Sequence, residues 1–112
     1  MYSQVNGMGL FGMNAFKVTA EIMSSRGQPS FDIVGLGDLA VQESKMRIKG
    51  ALSGIGISVS GQRLTVNLAP ADVRKCGSLY DFTIIAAILA VNNIITDDLS
   101  GCAFIGEVSL GG

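Results

Sequence analysis

Asn67-Leu68-Ala69-Pro70-Ala71-Asp72-Val73-Arg74-Lys75-Cys76-Gly77-Ser78-Leu79-Tyr80-Asp81 gathers charged and turn-forming residues between two apolar segments. Upstream, Arg63 to Leu68 alternates strictly: Leu64, Val66 and Leu68 fall on one side, Arg63, Thr65 and Asn67 on the other. That period of two predicts a half-buried strand. Downstream, Phe82 to Val91 is almost wholly apolar and rich in Ala and Ile, the composition of a helix buried on nearly all sides. The stretch is therefore a loop joining a strand to a core helix. Ser78 and Asp81 have the S-x-x-D spacing of a capping box, which would satisfy orphan backbone donors and set a negative charge at the helix start.

Outward from this loop the same patterns give strand, strand, strand, helix, strand, helix, strand. Asn14 to Met23 alternates, with Phe16, Val18, Ala20 and Ile22 on one face. Arg26-Gly27-Gln28-Pro29 reads as a turn, and Pro29 to Val34 as a short strand with Phe31 and Ile33 inward. A helix is expected from Asp38 to Ser53, with Val41, Ile48, Ala51, Leu52 and Ile55 as its core stripe. Lys45, Arg47 and Lys49 then fall on the solvated side, and Glu43 stands four residues before Arg47, the favourable order for an exposed pair. Ile57 to Ser60 suggests a further short strand. Asp97 to Gly101 reads as a polar turn before a last strand from Ala103 to Leu110. This order indicates an α+β fold, a mixed β-sheet with helices on one face.

At 112 residues the chain suits one domain able to bury ~65% of its unfolded surface. No internal repeat, low-complexity segment or linker divides it. Charged residues make up 15% against about 25% in ordinary soluble domains, and 48% are hydrophobic, which suits either a surface partly covered by an adjoining module or by copies of the chain, or a compact β-rich domain that buries its apolar residues alone. A net charge of -1 offers no electrostatic footprint for nucleic acid, which argues against direct DNA binding by these residues. Cys76 and Cys102 lack ligand spacing and the chain has no His, which argues against a metal site. The start has no signal-peptide pattern, and Phe82 to Val91 is about half the ~20 residues that span a bilayer, so a cytoplasmic protein with free thiols and no membrane contact is expected. Gly7-Met8-Gly9-Leu10-Phe11-Gly12 matches G-x-G-x-x-G but lacks the context of a dinucleotide site, and reads as a hairpin connection.

The loop N-L-A-P-A-D-x-x-K-x-G-x-x-x-D also resembles the signature of the Mg-chelatase-like AAA+ proteins, the ComM/YifB family. Phe31 to Arg47 is similar to that family's F-x-I-V-G-L-x-x-x-A-V-x-E-S-x-x-R, and Phe104 to Gly112 supplies a third matching block. Cys76 departs from the acidic residue usual before the glycine. The resemblance implies that residues 1–112 are one ChlI-type N-terminal domain. Its fold would be like the proteolytic domain of Lon and the second domain of the fifth small-subunit ribosomal protein. A AAA+ ATPase module carrying ATP and Mg would follow. No G-x-x-x-x-G-K-[ST] run occurs within these residues, so no cofactor is expected in this chain.

The implied role is a non-catalytic regulatory or assembly domain of an ATPase linked to DNA processing in competence. Its partners would be its own AAA+ module, neighbouring subunits of a homo-oligomer such as a hexamer, and DNA through the whole protein. The implied interface or functional-loop residues are Asn67, Asp72, Arg74, Lys75, Ser78 and Asp81, with Glu43, Ser44 and Arg47 marking the second motif; a capped helix, a Pro70 turn and a buried Asn67 would instead explain much of the loop as structure. A magnesium chelatase subunit is one alternative. A Lon-like serine peptidase is another, but aligning Lys75 and Gly77 on K-x-G-P-S-A-G puts Leu79 at the nucleophile position and leaves Ser78 one place early. A serine also needs a base, and the segment around Lys75 reads as polar and not desolvating. The ending from Gly106 to Gly112 reads as a strand cut at its exit, so the polypeptide is expected to continue.

Overall fold

The structure is a computed structural model that describes every residue except Ser60, Asp72, Arg74 and Cys76. Strands β1 (Tyr2–Phe11), β2 (Asn14–Ser25) and β3 (Ser30–Val34) precede helix α1 (Asp38–Gly54), strand β4 (Arg63–Ala69), helix α2 (Asp81–Val91) and strand β5 (Ala103–Phe104). They form one sheet in the order β3-β4-β2-β1-β5. β2 pairs antiparallel with both β1 and β4, whereas β3 runs parallel to β4 and β5 parallel to β1. The sheet is thus mixed, as the order of patterns predicts.

Alternation decides which face is covered. Val5, Val18, Ala20, Ile22, Phe31, Ile33, Leu64, Val66 and Leu68 are buried on the inner face, and the register aligns them, Ala20 opposite Leu68 and Ile22 and Ile33 opposite Val66. α2 lies over β1 and β2, and α1 packs against α2 and β3. Eight of the eleven α2 residues are buried, so its apolar run follows from being wrapped on nearly every side. In α1 the buried residues are Ser44, Ile48, Ala51 and Leu52. Ile55, expected in that stripe, is 55% exposed because it lies just past the end of the helix.

Three sequence readings need correction. Only Ala103–Phe104 of the last predicted strand pairs with β1. Beyond it the backbone bonds elsewhere: Gly106 N–H donates to Leu79 and Phe82 N–H donates to Gly106, each at 3.0 Å, while Leu110 and Gly111 lie against Gly50 and Gly54 of α1. Ile57 to Val59 are irregular, not a strand, and Ser60 lies outside the described residues. Of the three glycines in the G-x-G-x-x-G match, only Gly12, at φ +61°, is in the hairpin turn. Gly7 and Gly9 sit within β1 because neighbours leave no room for a side chain. A Cβ on Gly7 would stand 2.4 Å from Thr83 Oγ1, and one on Gly9 2.5 Å from the Tyr80 hydroxyl.

Candidate functional site

Asp81 opens α2 and is wholly buried, yet its carboxylate has three side-chain bonds. Ser44 Oγ donates to Oδ1 at 2.7 Å, Arg47 Nε to Oδ2 at 2.5 Å and Arg47 Nη2 to Oδ1 at 3.2 Å. Arg47 Nη2 also donates to Ser44 Oγ at 3.2 Å. The two-point grip of guanidinium on carboxylate is the strong form of this contact, and the carboxylate also complements the positive end of α2. The hydrogen bond to Asp81 is the main cause holding the Arg47 guanidinium above its ordinary pKa, with the charges of Asp81, Glu107 and Glu43 adding to it against a cost of desolvation.

This arrangement replaces two expected contacts. The capping box does not form: Tyr80 is the N-cap residue, no side chain among the described residues caps α2, and Ser78 Oγ donates to Glu107. A buried carboxylate gains more from a cation and a hydroxyl than from a backbone N–H, so Asp81 turns to α1. The exposed Glu43–Arg47 pair does not form either, because Arg47 is drawn inward to Asp81. Lys49 remains exposed, as expected, and Lys45 is half-buried.

Beside the buried cluster, Leu39, Ala40, Glu43, Arg47, Gly77, Ser78 and Glu107 line an open cleft of about 480 Å³. It presents two carboxylates next to one guanidinium edge. Glu107 was not singled out from the sequence; its place in the third matching block was the available signal. Leu39, at its rim, is 73% exposed.

Lys75 is buried, contrary to the polar surroundings read from its neighbours. Its Nζ donates to the carbonyls of Pro70 and Val73, the latter at 2.8 Å, and its backbone bridges to Leu36. The loop folds around its own lysine, which ties the turn after β4 together. With Gly35, Leu36, Gly37, Ala40, Ala71 and Val73, Lys75 borders a second hollow of about 390 Å³. Asp72 and Arg74 of the expected contact set lie outside the described residues, as does Cys76. Asn67 is separate from the cluster: it sits on the outer face of the sheet, where Nδ2 donates to Glu21 Oε1 at 3.1 Å. For peptidase chemistry, the Ser78 hydroxyl is engaged by Glu107 and the Lys75 amine by loop carbonyls. Cys102 is an exposed free thiol. Among the described residues no helix is long and apolar enough to cross a membrane.

Fold and cluster thus join Ser44 and Arg47 of one sequence block to Asp81 of another. The family described as subunit ChlI of Mg-chelatase matches residues 20–112, and the chain belongs to this Mg-chelatase-like family. Among its relatives, the uncharacterised YifB protein of Escherichia coli K12 is 35% identical over 111 residues, covering 98% of this chain and 22% of that protein. The competence protein ComM of Haemophilus influenzae is 37% identical over 102 residues, covering 90% of this chain and 20% of its own length. An uncharacterised Mycobacterium bovis protein, Mb2921c, is 36% identical over 102 residues, with 90% and 20% covered. The chain spans about a fifth of the length of these relatives.

Proposed function

We propose that these residues form a regulatory or assembly domain, not a catalytic one, within an Mg-chelatase-like AAA+ ATPase that binds ATP and Mg in a following module. In this reading the whole protein works on DNA in the cytoplasm during competence-type processing, as a homo-oligomer such as a hexamer. The similarity to ComM, whose name records a competence role, supports that setting. The observation that carries the role is the use made of the motif residues. Ser44, Arg47, Asp81 and Lys75 hold α1, α2 and the loop after β4 in fixed relation, while Leu39, Glu43 and Glu107 line the cleft beside them. A rigid cleft with an exposed leucine and two carboxylates suits docking of a protein surface, where charged pairs set register.

The test uses the full-length protein. Leu39→Asp with Glu43→Gln changes exposed cleft residues that make no hydrogen bond to the buried cluster, and Glu43→Gln removes a charge that acts on Arg47 without setting a like charge beside it. Assembly and ATPase rate are both expected to fall at least about tenfold, which corresponds to a lost docking energy of about 1.4 kcal/mol. Unchanged mass in solution and unchanged turnover would remove the cleft from the assembly role.

A magnesium chelatase subunit is the second reading, favoured by the family description alone. ATP-dependent magnesium insertion into a porphyrin by the full-length protein with partner subunits would select it.

A further inference from the structure

From Ile105 the chain leaves the sheet and runs to α1 as a strap. Gly106 ties it to the start of α2: its N–H donates to Leu79 and its carbonyl accepts from Phe82, each at 3.0 Å. Glu107 then accepts a hydrogen bond from Ser78 Oγ in the cleft that Arg47 also lines. Leu110 and Gly111 come to rest on Gly50 and Gly54 of α1.

The seat on α1 is made of missing side chains. Gly50 lies inside the helix and Gly54 ends it, neither at a positive φ, so alanine would suit the backbone and strengthen the helix. What glycine supplies is room. A Cβ on Gly50 would stand 3.1 Å from the Leu110 carbonyl oxygen, and one on Gly54 2.7 Å from that of Gly111. Little burial holds the strap down. No residue from Ile105 to Gly112 is buried, Val108 packs partway against the core, and Leu110 is 64% exposed. A segment with so few buried contacts opens at lower cost than the core beneath it.

We infer that residues 105–112 are a movable strap that switches the cleft: seated on Gly50 and Gly54 it holds Glu107 beside Ser78, and lifted it takes Glu107 away. The switch changes charge as well as shape. Seated, the cleft carries two carboxylates, Glu43 and Glu107, next to the Arg47 edge. Lifted, it keeps Glu43, and Ser78 Oγ loses its acceptor. Glu107 is also among the charges that raise the Arg47 pKa, so its departure reaches the guanidinium. This regulation rests on the reading of the cleft as a docking surface, with the seated strap as its competent form.

Hydrogen exchange on the 112-residue chain reads the strap with no partner present. In the native protein the Gly106 and Phe82 amides are expected to exchange at least about 100-fold faster than the sheet amides of Ile22 and Val66. Gly50→Ala with Gly54→Ala fills the seat, and should speed both strap amides at least about tenfold further without speeding the sheet amides or lowering the melting temperature. Ser78→Ala, which removes the clasp on Glu107, should speed the strap amides as well. Native strap amides as slow as the sheet, strap amides unmoved by both variants, or a glycine variant that speeds strap and sheet together would make the strap part of the cooperative core and overturn the inference. In the full-length protein the glycine variant should weaken assembly as Leu39→Asp with Glu43→Gln does. Unchanged assembly with a lifted strap overturns the regulation. Failure of the docking reading shows differently: assembly survives the cleft variant while the exchange rates come out as expected, which upholds the strap and removes the surface it would control.

Discussion

Arg47 and Asp81, from two separate sequence blocks, meet through a 2.5 Å bond between Nε and Oδ2, with the carboxylate fully buried and the guanidinium partly open to solvent. The pair, with Ser44, locks the start of α2 to the middle of α1. Removing one partner leaves the other buried without its match. Arg47→Leu is expected to destabilise the chain by about 3 kcal/mol, the low end for a buried pair because Arg47 keeps some solvent. Arg47→Leu combined with Asp81→Leu should cost less than the sum of the single changes. Urea unfolding midpoints decide this; additive losses would mean the two side chains act independently.

Lys75 holds the loop after β4 through the carbonyls of Pro70 and Val73. Lys75→Met keeps most of the side-chain volume and removes the donors, so a loss of about 1–3 kcal/mol is expected, together with faster proteolysis between residues 70 and 77. Unaltered cleavage in that segment would show that the loop does not depend on its lysine.

Gly7 faces Thr83 across the contact between β1 and α2. Gly7→Ala would put a Cβ 2.4 Å from Thr83 Oγ1 and 2.8 Å from Cγ2. The expected destabilisation is about 1–3 kcal/mol. Thr83→Ala should reduce that penalty in the double variant although it also removes the bond from Thr83 Oγ1 to the Phe104 carbonyl. Thermal melts of the four proteins in the cycle measure the coupling, and a coupling of zero contradicts the packing.

On the outer face, Tyr2 donates its phenol proton to Glu21 Oε2 at 3.0 Å, and that bond is the main cause raising the Tyr2 pKa above its ordinary value, ahead of slight desolvation and the Glu21 charge. The folded state binds this proton more tightly than the unfolded state does. Its contribution to stability is therefore complete below the unfolded pKa and is lost as pH rises through the folded one. Absorbance titration at the phenolate band, with Tyr2→Phe as reference for Tyr80, should give a high Tyr2 midpoint that Glu21→Gln lowers. A midpoint unmoved by Glu21→Gln would contradict the pairing.

The elements were legible because their patterns are local. The alternation of Leu64, Val66 and Leu68 and the apolar run of α2 each announce how one segment is buried, and the structure agrees with both. What the sequence concealed depends on distant neighbours. The spacing of Ser78 and Asp81 suits a cap, but only the approach of α1 tells which partner Asp81 takes. Polar neighbours of Lys75 in sequence say nothing of the carbonyls that enclose it. The last strand failed for the same reason: Ala103 to Leu110 has strand composition, yet from Gly106 its backbone finds partners in the turn before α2. Asn67 reads as part of the loop by position but points to the opposite face from the cluster, because β4 alternates.

The central proposal, an accessory domain acting on an ATPase module, is tested most directly by removing it. ATP hydrolysis and solution mass would be compared for the full-length protein and for a form lacking residues 1–112. The expected result is a shortened protein that still binds nucleotide but has lost assembly or its normal turnover. A shortened protein that assembles and hydrolyses ATP as the full-length one does, or a full-length protein with no ATPase activity, would contradict the proposal.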